Sequence, residues 1–146
     1  MKSIKNITFV LCLLSLSACS IFRKSEAGNK QAGVITDRRW KLVELAGKPV
    51  ADQINGKEPF LLLQTADNRY SASGGCNGIG GNFTLEANGR VKFSAGMSTK
   101  MACDNMEIEN GLTKALAAAD NYSISGDDLS LNKARMAPLA RFKAVD

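Results

Sequence analysis

The stretch from Gly74 to Ala119 constrains the fold of this chain more than any other. It begins with a glycine-rich turn, Gly74-Gly75-Cys76-Asn77-Gly78-Ile79-Gly80-Gly81, and contains a second cysteine, Cys103, just before a predicted helix. A disulfide between these cysteines would close a loop of roughly 28 residues, and in the chain-entropy description such a crosslink contributes about 3.5 kcal/mol. Because that is a large share of a small domain's stability, the pair would fix a helix to the end of a strand.

The N-terminus carries a targeting signal. Two lysines precede a short apolar segment, Ile7 to Leu16, which is too short to cross a bilayer as a permanent helix. Residues 1–18 are therefore predicted to be a signal peptide. The ending Leu16-Ser17-Ala18-Cys19 resembles the lipobox of bacterial lipoproteins, which implies that Cys19 is lipidated and becomes the first mature residue. An ordinary signal peptide followed by an incidental cysteine is the alternative.

The same resemblance predicts a destination. Ser20 follows the cysteine, where lipoproteins retained in the enterobacterial inner membrane carry aspartate, so the expected location is the outer membrane. Several acyl chains on Cys19 would make this anchoring stable, since a single chain binds only marginally. Residues 19–35 are polar and small, and we interpret them as a lipid-anchored flexible tether for a domain that faces the periplasm.

The remaining cysteines are then accounted for. Cys12 leaves with the signal peptide and Cys19 carries lipid, so Cys76 and Cys103 remain, and they favour a disulfide in an oxidising periplasm. The alternative is a metal site formed by the two thiolates. The chain contains no histidine and the two cysteines are far apart in sequence, so the disulfide is favoured.

Composition predicts one domain, residues 36–146, and no nucleic-acid partner. With 45% hydrophobic residues, a chain of 146 residues can form one core and leaves little room for a second. Removal of Lys2 and Lys5 leaves 17 basic against 14 acidic residues, a net charge of +3. These charges are scattered and form no basic stripe of the kind that binds nucleic acid, so they indicate a solvated surface.

Hydrophobic alternation predicts a series of short antiparallel strands. The first, Arg39 to Leu45, changes its alternation phase and so predicts a β-bulge. The run from Pro59 to Leu63 predicts a strand covered on both faces. Asn88-Gly89 predicts a type I′ hairpin turn, and Gly126-Asp127 predicts a second hairpin. Further strands are expected at residues 69–73, 82–86, 90–94, 122–124, 129–131 and 140–144.

One helix is predicted after Cys103. Asp104 and Glu107 have capping-box spacing, so Asp104 is expected to cap the helix. Ile108, Leu112, Ala115, Leu116 and Ala119 form one apolar stripe that would lie on the sheet. Gly111 interrupts the helix, which close approach to a strand would explain. The predicted fold class is α+β: a curled antiparallel sheet or small barrel of about eight short strands with one helix packed on it.

The sequence argues against common catalytic and cofactor chemistries, and we expect no enzyme activity, metal or cofactor. Without histidine there is no Ser-His-Asp or Cys-His relay. The carboxylates Glu107, Glu109, Asp127 and Asp128 are interpreted as solvated or capping groups, because their spacing does not pair them for acid–base catalysis. The glycine cluster lacks a phosphate-binding pattern and is interpreted as tight turns. The methionines at positions 97, 101, 106 and 136 could form an adaptable binding surface or fill gaps in the core, and we favour the core.

Two motifs identify a family resemblance. Gly75-Cys76-Asn77 and Ser98-Thr99-Lys100-Met101-Ala102-Cys103, together with the Trp40-x-Leu42 strand, resemble the META domain of the heat-shock protein HslJ group. The resemblance covers about residues 36–145 and supplies no catalytic residues. Many relatives carry a bulky or basic residue where this chain has Gly78. From the two motifs we take Asn77, Thr99, Lys100 and Met101 as a candidate binding surface.

What the resemblance implies is a role in the bacterial envelope. The family is associated with outer-membrane lipoproteins, envelope stress and tolerance of novobiocin. We therefore expect a non-enzymatic lipoprotein whose domain binds a protein or envelope component. The alternatives are an inhibitor of a hydrolase such as lysozyme, and a pilot or chaperone lipoprotein for a secretion component.

The different roles of the cysteines can be tested chemically. Replacing Cys19 with alanine is expected to remove the acyl mass from the mature protein and to release it from the membrane fraction, whereas Cys12→Ala should change neither. Ellman titration of the denatured, unreduced protein is expected to detect no thiol at Cys76 or Cys103. Free thiols at both positions would contradict the disulfide.

Overall fold

The structure is a computed structural model that describes residues 33–145. The predicted signal peptide, its cleavage site and the lipidated Cys19 lie outside the described residues, which contain ten strands and one helix. The elements are β1 (Arg39–Leu45), β2 (Lys48–Pro49), β3 (Phe60–Gln64), β4 (Arg69–Ser73), β5 (Gly78–Glu86), β6 (Arg90–Phe93), β7 (Met97–Ser98), α1 (Glu107–Ala118), β8 (Asn121–Ser125), β9 (Asp128–Asn132) and β10 (Ala140–Val145).

Eight of these strands close into an antiparallel ring. In the order β1, β3, β4, β5, β6, β8, β9, β10, each strand pairs with the next, and β10 pairs back onto β1 from Arg39↔Val145 to Leu45↔Ala140. The two-residue strands β2 and β7 add to β1 and β5. The prediction of about eight strands in a curled antiparallel sheet or small barrel with one helix is thus confirmed.

Pairing around the ring is uneven. Most neighbours share several paired residues, but β6 and β8 share only Arg90↔Asn121. In sequence, the segment between these two strands contains β7 and α1. The ring is therefore closed at this point by one backbone pair and by the packing of the helix.

The predicted bulge lies in β1. The register against β10 shifts between Leu42 and Glu44, so that Trp40, Leu42 and Leu45 all point inward despite the change of phase. The Trp40 indole Nε1 donates to the Ile35 carbonyl at 2.8 Å, which satisfies its buried polar atom. The core continues along the other strands as Leu61, Leu63, Tyr70, Ala72, Ile79, Phe83, Val91, Leu129, Leu131 and Phe142.

The two ends of the ring differ in character. Because consecutive strands alternate in direction, every second connection falls at the same end. One end has the short turns at 65–68, 87–89 and 126–127, and we call it the short-turn end. The other has the connections 46–59, 74–77, 94–120 and 133–139, and we call it the long-loop end. At the short-turn end, Asn88 and Gly89 both have positive φ, 60° and 70°, as the predicted Asn-Gly hairpin turn requires, and the pairing of Glu86 with Arg90 leaves residues 87–89 as the turn.

Helix α1 packs at the long-loop end, as its stripe predicted. Leu112, Ala115, Leu116 and Ala119 are buried against the ring. Close approach explains Gly111, because a Cβ there would lie 2.6 Å from Cδ2 of Leu45 on β1.

The predicted helix start is wrong. Residue Met106 occupies the N-cap position without a side-chain cap, and Asp104 does not cap the helix. The Asn105 carboxamide instead accepts from the Glu107 amide at 3.0 Å. Asn105 also exchanges two backbone-to-side-chain hydrogen bonds with Asn55, which keep this segment out of the helix.

Two expectations about strands and one about the tether need correction. Strand β3 is not covered on both faces: Leu61 and Leu63 are buried, whereas Phe60 is half-buried beneath the Arg39 guanidinium, 3.7 Å from the ring centroid. Strand β5 begins at Gly78 rather than Asn82, so half of the glycine cluster is strand. Residue Ile35, assigned to the end of the tether, is a core residue with 1% exposure.

Gly74 and Gly78 form a matched pair for testing how closely α1 approaches the ring. A Cβ on Gly74 would lie 2.3 Å from the Glu109 Cα, whereas a Cβ on Gly78 would meet nothing within 4 Å, and neither glycine has positive φ. We expect Gly74→Ala to lower the free energy of unfolding by about 3 kcal/mol, because backbone atoms must move apart. Gly78→Ala should change it by less than about 0.5 kcal/mol. Urea denaturation measures both, and equal effects would contradict the packing described.

Candidate functional site

The candidate site lies at the long-loop end, where residues 94–106, which include β7, run above the start of β5. Three features fix this segment: the side chain of Asn77, the Cys76–Cys103 disulfide, and the packing of Tyr70 beneath its start. We call it the 94–106 loop.

Asn77 is the centre of this arrangement and is only 2% exposed. Its Oδ1 accepts from the Met101 amide at 2.8 Å and from the Thr99 hydroxyl at 2.9 Å. Its Nδ2 donates to the Met101 carbonyl at 3.1 Å and to Glu109 Oε1 at 2.8 Å. The carboxamide thereby satisfies both lone pairs and both protons, so it fixes the loop rather than offering groups to a ligand.

Glu109, in the first turn of α1, is the second buried polar group. It is 5% exposed, and its Oε2 accepts from the backbone amide of Asn77. The sequence interpretation of Glu109 as a solvated or capping carboxylate was therefore wrong. A signal was present: Glu109 precedes Leu112 by three and Leu116 by seven residues, so it lies on the buried face. Hydrogen bonds satisfy both oxygens of this buried carboxylate and connect α1 to the turn after β4.

The disulfide joins the turn after β4 to the 94–106 loop. Cys76 and Cys103 are bonded, with their Cα atoms 6.1 Å apart, and Cys76 is 2% exposed. The predicted pairing is confirmed. Hydrogen-bonded and covalent connections therefore fix the loop at two positions that are two residues apart, Met101 and Cys103.

Tyr70 supports the beginning of the loop. Its hydroxyl donates to the Ser94 carbonyl at 3.2 Å, and its ring packs edge-on against Phe93. Burial raises the pKa of Tyr70, so the phenol stays protonated as a donor. Gly81 and Gly96 lie so close to Tyr70 that a Cβ would fall 2.8 Å from Cε1 and 2.6 Å from the hydroxyl, respectively. These glycines make room for the ring.

The four residues predicted as a binding surface do come together, but they are not equivalent. Asn77 is buried, whereas Thr99, Lys100 and Met101 are exposed. All four line a shallow depression of about 520 Å³ under the 94–106 loop. The surface available to a partner is therefore the outer side of the loop, and Asn77 and the Thr99 hydroxyl determine its shape.

The interpretation of the methionines as core residues was wrong for three of the four. Met97, Met101 and Met136 are 76%, 51% and 65% exposed, and Met106 is partly buried. The core is filled by strand and helix residues, so the loops that carry these methionines lie outside it. Two of the exposed methionines belong to the 94–106 loop, and Met136 lies in the connection between β9 and β10, also at the long-loop end.

No group of three or more His, Cys, Asp or Glu residues within 33–145 is arranged to bind a metal ion. The buried polar groups, Asn77 and Glu109, bond to each other and to the loop. Across the same residues, the helix present is neither long nor apolar enough to cross a membrane.

Comparison with known proteins agrees with this geometry. The sequence model of the META domain family matches residues 33–146, which includes the whole ring, α1 and the 94–106 loop. The chain belongs to the META domain family. A comparison of this META domain protein with curated proteins gave no match.

Solved structures share the fold. A protein from Burkholderia xenovorans, solved by NMR, is 22% identical with a TM-score of 0.61, over 80% of this chain and 86% of that one. A second NMR structure is 22% identical with a TM-score of 0.59, over 75% and 90%. A crystal structure of a DUF4847 family protein from Bacteroides vulgatus is 17% identical with a TM-score of 0.55, over 75% and 94%. At these identities the likeness concerns the META fold alone.

Asn77 is the residue on which the loop of this META domain most depends. Asn77→Ala would leave the Met101 amide, the Thr99 hydroxyl and Glu109 Oε1 without their partner, and we expect the free energy of unfolding to fall by about 3 kcal/mol. Asn82→Ala, at an exposed position in β5, should change it by less than about 0.5 kcal/mol. Thermal and urea unfolding measure both values. A small effect at Asn77 would show that the disulfide alone fixes the loop.

Proposed function

We propose that this META domain protein is a non-enzymatic outer-membrane lipoprotein that presents its long-loop end to a protein or envelope component and thereby supports envelope integrity under stress, including tolerance of novobiocin. The observation that carries the proposal is the fixed 94–106 loop with its exposed methionines. The lipobox and the family resemblance supply the location and the stress role.

The path of the chain supports an orientation for an anchored domain. Before β1, Asp37 donates its amide to the Leu63 carbonyl and accepts from the Thr65 amide and hydroxyl, at the short-turn end. The Thr65 hydroxyl, and then its amide, lower the pKa of Asp37, which keeps this carboxylate charged and bonded near neutral pH. A chain from Cys19 thus reaches the domain at the end opposite the 94–106 loop.

The length of the predicted tether fits this orientation. The 13 residues between Cys19 and Gly33 reach at most about 45 Å when extended. As a flexible polar chain they would span on average about 20 Å. The short-turn end would therefore stay near the bilayer, and the long-loop end would face the periplasm.

Exposed methionines suit this role. A thioether on three rotatable bonds adapts to irregular apolar surfaces, and methionine is used at binding surfaces that must fit several shapes. Exposing Met97, Met101 and Met136 at one end of a small domain is costly in water unless a partner covers them. Because the loop is fixed in advance, little conformational entropy is lost when a partner binds.

Inhibition of a hydrolase is the second candidate function, and the fixed loop favours it. An exposed segment that is covalently bonded through Cys103 and hydrogen-bonded through Met101 is preorganised to contact an active-site cleft. Lys100, beside Met101, would then contribute a positive charge to that contact. A catalytic role finds no support in the arrangement of the buried polar groups.

Site-specific photo-crosslinking in cells distinguishes these functions. A benzoylphenylalanine at position 97 or 101 is expected to give a specific crosslinked product, and one at Ala87, in the β5–β6 turn of the short-turn end, is not. Loss of a single hydrolase's activity on addition of the purified protein would identify an inhibitor. Equal products from all three positions, or none, would contradict a binding role for the loop.

A genetic experiment tests the same surface. Met97→Ser with Met101→Ser should leave the free energy of unfolding within about 0.5 kcal/mol of the wild type, because both side chains are exposed. The double variant is nevertheless expected to restore novobiocin tolerance to a deletion strain poorly, while Lys92→Ser, on the barrel wall, restores it fully. Full restoration by the methionine variant would show that this surface is not used.

A further inference from the structure

A second recess lies beside α1 at the long-loop end, separate from the depression under the 94–106 loop. It runs between the helix and the β1–β2 hairpin, encloses about 520 Å³, and has a mainly apolar lining. The apolar lining residues are Leu45, Pro49, Ile108, Ala115, Ala118 and Leu139. We call it the helix groove.

The helix groove is formed by the contact between Gly111 and Leu45. Because Gly111 has no side chain, α1 approaches β1 closely enough for Leu45 to contact the helix backbone. Leu45 and Ala115 are buried, whereas Ala118 and Leu139 are only half-buried at the sides. The floor is therefore continuous with the core, and the walls present apolar surface to solvent.

The rim of the groove carries more positive than negative side chains. Lys48, Lys114 and Glu107 all line the groove and are exposed. Within the described residues, neither lysine has an ion-pair partner. Several other surface cations do: Lys41 lies 2.7 Å from Asp52, Lys92 lies 3.1 Å from Glu86, and Arg141 lies 3.2 Å from Glu44. The two groove lysines are thus available to a carboxylate from outside without breaking an existing ion pair.

We infer that the helix groove binds a peptide segment of a partner protein in which apolar side chains alternate with, or stand next to, carboxylates. Apolar side chains would cover the surface between Leu45 and Leu139, and the carboxylates would pair with Lys48 and Lys114. Helix-lined grooves recognise peptides through apolar anchors in this way, and charge pairs at the rim add specificity. This inference rests on the proposed binding function and names the chemistry of the partner.

The polarity of the groove also orients the segment. Lys114 follows Glu107 by seven residues, which is about 10 Å along the helix axis. Glu107 would repel a carboxylate near the start of α1, so the acidic part of the peptide lies toward Lys114. A free acyl chain carries one charged head group, so the repulsion from Glu107 would not contribute to its recognition. We therefore favour a peptide over a lipid.

The test uses the full chain in lipid nanodiscs and three fluorescein-labelled eight-residue peptides, in which leucine alternates with glutamate, lysine or serine. Fluorescence anisotropy is expected to show that the glutamate peptide binds about tenfold or more tightly than the lysine peptide. Added salt should weaken this binding. Equal affinities, or preference for the lysine peptide, would overturn the inference, as would equal binding to empty nanodiscs.

Variants separate the groove from the rest of the surface. Lys48→Glu with Lys114→Glu changes two exposed side chains without ion-pair partners, and it should reverse the preference between the glutamate and lysine peptides. Ala118→Trp would fill the groove and should reduce binding of the glutamate peptide about tenfold or more. Lys92→Glu, on β6, should change neither. Unfolding curves show whether Ala118→Trp stays folded, and the lysine variant tests the inference independently of that result.

Crosslinking distinguishes failure of the groove inference from failure of the proposed binding function. A photo-crosslinker at Ala118 should react with the same partner as one at Met101 if one protein covers both surfaces. Crosslinks from position 101 but not from 118, together with no peptide selectivity, would overturn the groove inference and leave the loop's binding role intact. Absence of crosslinks at both positions would overturn both.

Discussion

Closure of the sheet between β1 and β10 is the constraint on which the rest of the structure depends. Every pair of neighbours around the closed ring is antiparallel, so successive strands alternate in direction. Successive connections therefore fall at opposite ends of the ring. The long loops and the helix of this chain all lie at one end, and the other end has only short turns.

Closure also limits where the helix can pack. A ring of eight strands has an interior just large enough for side chains, so α1 cannot enter it and must cover part of the long-loop end. There the helix contributes Leu112 and Leu116 to the core and directs Glu109 toward the turn after β4. Hydrogen bonds between Glu109 and Asn77 transmit the position of the helix to the 94–106 loop. A surface loop thus takes its shape from core packing, with the disulfide as a covalent supplement.

The sequence predicted the elements that depend on local pattern. Alternation located the strands, Asn88-Gly89 located a tight hairpin, and the apolar stripe located the buried face of α1. The cysteine pairing was predicted because only two cysteines remained once Cys12 and Cys19 were assigned to the predicted signal peptide and lipid anchor. The two motifs that indicated the family, around Asn77 and around Met101, also proved to be in contact, although their spacing in sequence gave no measure of that contact.

What the sequence did not reveal depends on contacts between distant segments. Asp104 has ideal capping-box spacing, yet the reciprocal bonds between Asn55 and Asn105 determine where the helix begins. Asn77 was assigned to a binding surface from its motif, and its burial follows from a partner 32 residues away. The methionines were assigned to the core because the sequence does not show that the sheet closes into a ring. Only the closed ring shows that strand and helix side chains already fill the interior.

The single backbone pair between β6 and β8 has a consequence for how the fold comes apart. If α1 detached, β6 and β8 would be held by the Arg90↔Asn121 pair and by two backbone hydrogen bonds, from Val91 to Asp120 and from Tyr122 to Gly89. The ring would therefore open most readily at this point, into a sheet with two free edges. Such edges are templates for intermolecular strand addition. The bonds from Glu109 to Asn77 thus guard against aggregation as well as shaping a surface, because they hinder the detachment that would expose those edges in a crowded compartment.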